Sequence, residues 1–307
     1  MKKLLILTFG SCGWDVIRYA DTKEIIYQEE GRKNSHQAVA ASRSDADSVL
    51  ISFVGDDEIG KKCLDDLKKC GVDTCFVNVV LGASTEINIQ NLDRVTKDYT
   101  LERGPAELSQ NYTPDMVKQY EKQIRSAAAV ILVSKQPHDF LTAVIDFCYQ
   151  NEIPTSLTIS HPKFDINKKN DLETLKKVTY IAGNWEEAKG YTNKTTPQEM
   201  LKLLPNMIIT KGAAGIYFLD EHGKFCHEEA APVKKVVETN GCGDIFIGNF
   251  LVFRAEGKSK TESVRMAKCA AAFKAGIMGV HRGTPTRAQT EAIYRSVYNG
   301  AVNEKQT

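Results

Sequence analysis

The segment at residues 239–248 reads Thr-Asn-Gly-Cys-Gly-Asp-Ile-Phe-Ile-Gly, with two glycines and an aspartate where an irregular stretch meets an apolar, helix-like run. Because glycine has no Cβ, the backbone N–H groups around Gly241 and Gly243 can approach a ligand closely, and the unpaired N–H groups at a helix start attract an anion. Asp244 would lie beside that anion in the first helical turn. A carboxylate there suits a general base that deprotonates a hydroxyl attacking a phosphoryl group. The same residues also fit a helix cap that binds nothing.

The elements that must position this segment follow a regular alternation. The predicted buried strands are residues 4–7, 49–54, 130–133, 154–159, 178–182 and 207–210, and the predicted helices are residues 59–70, 114–124, 140–149 and 261–276. Such alternation is typical of βαβ units and predicts an α/β fold with a mostly parallel central sheet and helices on both faces. Ligands of such sheets bind beyond the C-terminal ends of the strands.

Two stretches have a different pattern. Residues 24–29 and 75–101 contain shorter alternating runs, such as residues 85–91, which are typical of half-exposed antiparallel strands. We expect them to form a small second sheet. Because no linker, low-complexity stretch or internal repeat divides the chain, residues 1–307 are predicted to form a single domain, with the strands of the small sheet roughly within 24–37 and 75–104.

Composition limits the classes of partner. The chain has 307 residues, of which 42% are hydrophobic, and a formal net charge of +1 from 40 basic and 39 acidic residues. A substantial core can therefore be buried, and there is no electrostatic case for nucleic acid or a membrane surface as partner. The apolar run at the start is too short for a signal peptide, and none approaches the roughly 20 residues that span a bilayer. The eight cysteines lack Cys-x-x-Cys spacing, so we expect reduced thiols and a cytoplasmic protein.

Residues 239–248 closely resemble the second signature of the ribokinase-like (PfkB) carbohydrate kinase family, usually Asp-Thr-Thr-Gly-Ala-Gly-Asp-x-Phe-x-Gly. The resemblance implies that Asp244 is the catalytic base and that backbone N–H groups of Gly241, Cys242 and Gly243 form an anion hole for the transferring phosphate. It also implies a three-layer α/β/α fold with a small β lid.

Cys242 stands where the family has alanine, and we favour the role of a small turn residue. A helix N-terminus tends to lower a thiol pKa, which would make Cys242 sensitive to oxidation or alkylation.

Residues 31–41 occupy the place of the family's first signature, commonly Gly-Gly-Lys-Gly-x-Asn-Gln-Ala. Gly31 and Lys33 match, whereas Arg32 replaces a glycine and His36 replaces an asparagine that would contact sugar hydroxyls. The resemblance implies that these four residues bind the substrate, in a sugar pocket of altered specificity. The alternative is that Arg32 and Lys33 form a solvated pair of surface charges.

Two further positions bear on the substrate. Asp15 follows the first predicted strand, where a carboxylate can accept two hydrogen bonds from a polyol. The resemblance assigns it to the substrate, although a turn or cap role is the alternative. Lys135 falls where ribokinases proper carry a glutamate that helps to hold ribose. With Arg32 and His36, it disfavours ribose itself, and the added positive charge would favour an acidic or phosphorylated substrate.

Asn184 and Glu187 match the family's Asn-x-x-Glu motif. Their oxygens suit Mg²⁺ and its waters, so the resemblance implies that Glu187 binds Mg²⁺ through water, near a nucleotide held in part by Asn184. A capped helix start with acidic residues in its first turn explains the same pattern equally well.

The nucleotide is expected to lie against two further loops. The stretch Thr210, Lys211, Gly212 to Gly215 resembles the family's Thr-x-Gly-x-x-Gly loop, which contacts the nucleotide. Residues 279–287 resemble the loop that flanks the adenine, and His281 is expected at the pocket rim or on the surface rather than as a catalyst. The chain has neither a P-loop motif nor Gly-x-Gly-x-x-Gly after the first strand, which disfavours P-loop NTPases and dinucleotide dehydrogenases.

We therefore expect an ATP- and Mg²⁺-dependent kinase that phosphorylates a hydroxyl of a sugar or sugar-like small molecule. Fructosamine-type and nucleoside kinases on the same fold stay open, as does a non-catalytic protein that senses a sugar or nucleotide. The family often binds a monovalent cation beside the anion hole, and Glu238 replaces the usual aspartate there, which puts K⁺ activation in doubt. The resemblance also implies a homodimer through the β lid.

Overall fold

The computed structural model describes residues 3–95, 99–104, 107–160 and 163–298, which form two β-sheets and the helices packed against them. The strands are β1 (Leu5–Phe9), β2 (Gly13–Tyr19), β3 (Ile25–Glu30), β4 (Asp47–Gly55), β5 (Val72–Val80), β6 (Glu86–Leu92), β7 (Tyr99–Arg103), β8 (Ala129–Val133), β9 (Thr155–Thr158), β10 (Tyr180–Asn184), β11 (Met207–Thr210), β12 (Ile216–Leu219) and β13 (Phe225–Glu228). The helices are α1 (Lys33–Arg43), α2 (Glu58–Lys69), α3 (Met116–Gln119), α4 (Glu121–Ser126), α5 (His138–Gln150), α6 (Lys169–Lys177), α7 (Trp185–Thr192), α8 (Pro197–Leu203), α9 (Cys242–Ala255), α10 (Lys260–Ala275), α11 (Val280–Gly283) and α12 (Arg287–Tyr298).

Within those ranges the central sheet has nine strands in the order β13-β12-β11-β10-β9-β8-β1-β4-β5. Neighbouring strands from β11 to β5 are parallel, and β12 and β13 extend the sheet antiparallel. Successive side chains of a strand point to opposite faces. Leu7 of β1 accordingly packs in one core cluster with Phe140 of α5, and Ile6 packs in another with Phe250 of α9. Helices therefore cover both faces, and the predicted α/β fold with a mostly parallel sheet is confirmed.

Helix α9 carries the glycine turn at its N-terminus and lies between α1 and α10. Its residues from Asp244 to Phe253 are buried, which explains why it is apolar on all sides. Gly248 lets α1 approach closely, because a Cβ at this position would lie 2.4 Å from the carbonyl oxygen of Gln37. In the described part of the chain, no helix combines the length and hydrophobicity needed to cross a membrane.

The small sheet has the strand order β3-β2-β6-β7. Strand β2 is antiparallel to β3 and parallel to β6, and β6 is antiparallel to β7. Residues 96–98, which fall within the predicted range 75–104, and residues 105–106, which follow it, lie outside the described residues. The sheet brings polar residues of β2 and β6 opposite the C-terminal ends of the central strands.

The structure corrects two predicted elements. Residues 75–80 belong to β5 of the central sheet and not to the small one. Because β5 is the edge strand, its outer face is partly exposed, and its alternating pattern resembles that of an antiparallel strand. The helix predicted at residues 114–124 is interrupted at Tyr120, a buried residue that ends α3 and precedes α4.

Two elements next to the site were not predicted. Asp15 lies within strand β2 rather than in a turn, paired with Glu29 of β3 and Asn88 of β6. Helix α1 begins at Lys33, in the stretch that matches the first signature. The apolar periodicity of a helix is weak there, because the buried residues of its first turns are polar, from Asn34 to Gln37.

Candidate active site

A cavity of about 1030 Å³ opens between the C-terminal ends of the central strands and the small sheet. The predicted site residues that line it are Asp15, Gly31, Arg32, Lys33, His36, Lys135, Asn184, Glu187, Thr210, Gly212, Gly215, Gly241, Cys242, Gly243 and Asp244. Two groups of residues on its wall differ in character. The turn end of the cavity consists of residues 241–244, which the buried Gln37 supports from behind. The ion-pair end consists of Asp15, Arg32, Glu86 and Lys135.

The turn end begins with a backbone conformation that favours glycine. Gly241 has a φ of +74°, and a Cβ there would lie 2.5 Å from Cγ1 of Val280. The N–H of Cys242 donates to the carbonyl of Thr239 at 3.3 Å, which closes the turn. The N–H groups of the first helical turn have no partner within α9, and they form the positive end of the helix dipole. Because residues 241–244 line the cavity, this positive end lies at the cavity wall. This arrangement can hold an anion.

Asp244 is the third residue of α9 and is 9% exposed. The amide Nε2 of Gln37 donates to Oδ1 of Asp244 at 3.0 Å and to Oγ1 of Thr158 at 3.0 Å. His36 Nδ1 lies 3.7 Å from Oδ2 of the same carboxylate. Gln37 thus fixes the orientation of the carboxylate, which lies on the cavity wall. A carboxylate held next to an anion-binding turn can accept a proton from a bound hydroxyl.

Lys33 connects the turn end to the acidic start of α7. Its Nζ lies 2.9 Å from Oε1 of Glu187. Burial lowers the pKa of Lys33, but the carboxylates of Asp244 and Glu187 outweigh burial, and the pKa lies above its ordinary value. Lys33 is therefore a charged ammonium group between two carboxylates.

Glu187 is both a helix cap and a carboxylate on the cavity wall. Its Oε2 accepts from the backbone N–H of Asn184 at 2.9 Å, and the Asn184 side chain accepts from the N–H of Glu187 at 2.9 Å. This capping box fixes the orientation of Glu187 toward the cavity. A carboxylate oxygen has two lone pairs, so Glu187 can still hold a hydrated Mg²⁺. The donor set thus fits a magnesium ion bound through water.

At the ion-pair end, two carboxylates and two cations alternate. Arg32 Nη1 lies 2.7 Å from Oδ1 of Asp15, and Arg32 Nε lies 3.4 Å from Oε2 of Glu86. Lys135 Nζ lies 3.2 Å from the same Glu86 oxygen. Burial raises the pKa of Asp15 above its ordinary value, since it outweighs the opposing effects of Arg32 and His36. The alternative of a solvated surface pair is wrong for Arg32, which is 8% exposed.

These contacts change the charge balance inferred from the sequence. Arg32 and Lys135, which carry the added positive charge, both contact Glu86, and Lys33 contacts Glu187. Each of these three cations therefore already has a carboxylate partner. The expected excess of positive charge toward the substrate is therefore absent from the described cavity wall.

The sequence interpretation missed several polar residues of the cavity wall. Glu86, Asn88 and Gln90 lie on one face of β6 and line the cavity. Their spacing of two residues was visible within residues 85–91, but the partner of that face was not. Gln37 matches the family signature, yet its contact with Asp244 depends on the helical course of α1.

His281 and Lys211 are the predicted site residues that do not line the cavity. The expectation of a rim or surface position is wrong for His281, which is 4% exposed. Its Nδ1 lies 3.0 Å from Oδ2 of Asp66, and its Nε2 lies 3.4 Å from Oε2 of Glu30. Burial lowers the pKa of His281, but its hydrogen bond with Asp66 and its contacts with Cys70 and the Glu30 carboxylate outweigh burial and raise the pKa well above its ordinary value. Lys211 Nζ lies 3.6 Å from the ring centre of Trp185 instead.

The expectation of a lowered thiol pKa at Cys242 is also wrong. Burial raises the pKa of this thiol to about 11, with Glu238 and Asp244 adding to the effect against Lys274. With a pKa of about 11, Cys242 is a neutral thiol at ordinary pH. Its side chain serves as a small, uncharged residue in the turn.

Comparison with known proteins places the chain among sugar kinases. The family model described as pfkB family carbohydrate kinase matches residues 4–287. Ribokinase of Bacillus subtilis (strain 168) is 28% identical over 298 residues, which cover 94% of this chain and 98% of that protein. Among solved structures, ribokinase of Arabidopsis thaliana complexed with ribose and ATP superposes with a TM-score of 0.82 at 20% identity, covering 96% of this chain and 99% of that one. A nucleoside kinase of Burkholderia thailandensis in complex with inosine gives a TM-score of 0.78 at 19% identity, covering 96% and 98%.

Proposed function

Because the chain belongs to the pfkB family of carbohydrate kinases and is therefore a phosphotransferase that uses ATP to phosphorylate a sugar hydroxyl, we propose that Asp244 is its general base. The observation that carries this proposal is the position of the carboxylate. It lies on the cavity wall, in the first turn of the helix whose N-terminal turn faces the same cavity, and Gln37 holds one of its oxygens at 3.0 Å.

In the proposed reaction, the substrate hydroxyl gives its proton to Asp244 while its oxygen forms a bond to the γ-phosphorus of ATP. The bond between that phosphorus and the bridging oxygen breaks, and ADP leaves with the electron pair. Backbone N–H groups of Gly241, Cys242 and Gly243 stabilise the negative charge on the phosphoryl oxygens in transit. The hydrogen bond from Gln37 to Oδ1 leaves Oδ2 as the proton acceptor.

The nucleotide is proposed to lie between the end of β11 and helix α10. Thr210, Gly212 and Gly215 line this side of the cavity, with Asn184 beside them. Facing them, α10 contributes a wall of small residues, Ala271, Ala272 and Ala275. We propose that Glu187 holds Mg²⁺ through water, and Mg²⁺ bound there would neutralise charge on the ATP phosphates. Lys33 would contribute a further positive charge at this position.

For the acceptor, we propose a neutral polyol or sugar rather than an acidic or phosphorylated one. The cations Arg32, Lys135 and Lys33 each contact a carboxylate, which leaves little attraction for an anionic substrate. Asp15, Asn88 and Gln90 supply acceptors and donors that suit hydroxyl groups.

We further propose that the small sheet is a lid on a single kinase domain. It supplies one wall of the cavity, and its closure would exclude water that could otherwise accept the phosphoryl group. Strand β3 is an edge strand of this sheet and exposes Ile25 and Ile26, which supports dimerisation through the lid.

The decisive experiment measures ADP release from MgATP with a panel of acceptors at equal concentration. The panel contains neutral pentoses and hexoses, their phosphates, sugar acids, fructosamines and nucleosides. We expect turnover with at least one neutral sugar and less with its phosphate. Preferential turnover of a phosphorylated or acidic sugar would contradict the neutral-acceptor proposal. Absence of ADP release with every acceptor would contradict the kinase assignment of these residues.

A further inference from the structure

Lys274, near the end of α10, holds a fully buried ammonium group next to the glycine turn. The side chain is 0% exposed. Burying an isolated charge is strongly unfavourable unless paired partners compensate it. The Nζ of Lys274 contacts oxygen atoms: Oε2 of Glu238 at 2.9 Å, the carbonyl of Ile277 at 3.1 Å and the carbonyl of Glu238 at 3.5 Å. An ammonium has three N–H donors, and these three oxygens can accept all of them.

The contacts of Lys274 connect three segments behind the anion-binding turn. Glu238 lies three residues before Gly241, and its Oε2 also accepts from the N–H of Gly279 at 2.8 Å. The N–H of Glu238 in turn donates to the carbonyl of Ala275 at 3.2 Å. The ammonium therefore joins the start of the turn, the end of α10 and the loop before α11.

A carboxylate and backbone carbonyls converging beside an anion site form the kind of oxygen set that binds an alkali cation. The family resemblance implies a monovalent cation at such a position, but the residues present do not fit one. The oxygen set already surrounds Lys274 Nζ, and a second cation among the same oxygens would meet a like charge at close range.

We propose that the Lys274 ammonium is a built-in substitute for the monovalent cation, so that this kinase needs no K⁺. This inference rests on the proposed anion-binding role of the turn at residues 241–243. Lys274 acts as a positioning residue: it fixes Glu238 and the entry to the turn, and it adds a permanent positive charge behind the N–H groups. A lysine supplies the same unit charge as K⁺ without a binding equilibrium.

The test compares wild type with Lys274→Ala in KCl and in tetramethylammonium chloride of equal ionic strength. We expect the wild-type rate of ADP release, measured with an acceptor found by the panel, to be the same in both salts. In tetramethylammonium chloride, Lys274→Ala should lose roughly 10-fold or more in kcat, less than the loss of a full oxyanion-hole donor. K⁺ should restore part of that rate in a saturable manner. Lys260→Met, a buried lysine at the other end of α10, should leave the salt dependence unchanged.

Thermal unfolding supplies a readout independent of turnover. An ion that binds the folded state raises the melting temperature in proportion to ln(1 + [ion]/Kd). K⁺ should therefore stabilise Lys274→Ala over the tetramethylammonium control and leave wild type unaffected. If Lys274→Ala does not fold, the wild-type comparison of the two salts stands without any variant.

Specific activation or stabilisation of the wild type by K⁺ would overturn the inference, as would a folded Lys274→Ala that K⁺ neither activates nor stabilises. A wild type that releases no ADP with any acceptor in either salt would instead contradict the proposed catalytic roles. The melting experiment would still decide whether the oxygen set around Lys274 accepts K⁺.

Discussion

At the turn end of the cavity, the groups proposed to act on phosphate belong to the backbone. Gly241 supplies the left-handed conformation, and the N-terminus of α9 supplies unpaired N–H groups. At the ion-pair end, by contrast, the groups proposed to face the acceptor are the charged side chains of Asp15, Arg32 and Glu86. The two ends share one cavity but depend on different parts of the chain.

This difference explains why the first signature, at residues 31–41, departs further from the family pattern than the second signature, at residues 239–248. A backbone site keeps its chemistry when a small side chain changes, so Cys242 can stand where alanine is usual. A side-chain site changes its specificity with each substitution, as Arg32 and Lys135 illustrate, because every new charge must find a partner when buried. Substitution at the ion-pair end can thus alter the acceptor while the phosphoryl-transfer chemistry stays the same.

The largest expected effect is that of Asp244→Asn, which removes the proposed proton acceptor but keeps the shape and the Gln37 contact. We expect kcat to fall by at least ~10²-fold, because general-base catalysis contributes this much or more. Binding of the acceptor, measured by calorimetry, should change little. The matched control is Asp115→Asn, an exposed aspartate without a capping hydrogen bond. A kcat within tenfold of wild type would show that the base is another group.

Next in size is Gly241→Ala, which tests the backbone character of the turn end. The substitution combines a left-handed backbone, unfavourable by roughly 1–2 kcal/mol for a residue with a Cβ, with a contact of 2.5 Å to Val280. We expect kcat to fall by about 10-fold or more as the N–H groups of the turn move. Cys242→Ala should keep near wild-type kcat, since it leaves the backbone unchanged.

Gly190→Ala is the control for the general effect of adding a methyl group, because among the described residues no atom outside its chain neighbours and the backbone of its own helix lies within 4 Å of the position that its Cβ would occupy. It should retain activity and stability. If Cys242→Ala lost as much activity as Gly241→Ala, the side chain at the turn would matter as much as the backbone, and the contrast between the two ends would fail.

The fold and the turn end could be predicted because their signals are local. Buried parallel strands such as β8 are continuous apolar runs, and the glycines and Asp244 lie within four residues of one another. The ion-pair end depends on residues far apart in the chain, since Arg32 and Glu86 are 54 residues apart. The same holds for one contact at the turn end, between Gln37 and Asp244, which are 207 residues apart. Charges at the ion-pair end were visible, but their pairing was set by the packing of β6 and α1.

A smaller effect is expected for Glu86→Gln, which tests the charge balance of the ion-pair end. This change leaves Arg32 and Lys135 with one carboxylate fewer, so the cavity gains one net positive charge. We expect KM for the neutral acceptor to rise by about 10-fold while kcat changes little. The reason is that the change weakens binding of the acceptor equally in the ground state and in the transition state. The ratio of kcat/KM for an acidic sugar to that for the neutral sugar should increase.

Glu102→Gln is the matched control on the same sheet, because Glu102 has a side chain that is 58% exposed and lies away from the cavity. It should leave both acceptors unaffected. A fall in kcat with unchanged KM for Glu86→Gln would mean that this carboxylate acts on the reaction itself, which would remove the proposed division between the ends.

The smallest effect concerns His281, which follows the residue that packs against Gly241 of the turn end. Val280 packs against Gly241, while the ring of the next residue, His281, faces Glu30, Asp66, Cys70 and His36. Because the folded pKa of His281 is raised, the protonated form contributes stability in full below the unfolded pKa of about 6.5, and this contribution is lost as pH rises through the folded pKa. Each unit by which the folded pKa exceeds the unfolded one contributes about 1.4 kcal/mol.

Between pH 6.5 and pH 9, the melting temperature of wild type should therefore fall further than that of His281→Gln. We expect the two falls to differ by a few degrees, because a free-energy difference of about 1 kcal/mol shifts the melting temperature by that amount. His222→Gln, at an exposed position, should follow the wild-type curve. If the buried imidazolium also holds the loop that packs on Gly241, kcat of His281→Gln should fall modestly with no change in KM. Parallel melting curves for wild type and His281→Gln would show that the histidine carries no charge at neutral pH, and the loop would then be held against Gly241 by the packing of Val280 alone.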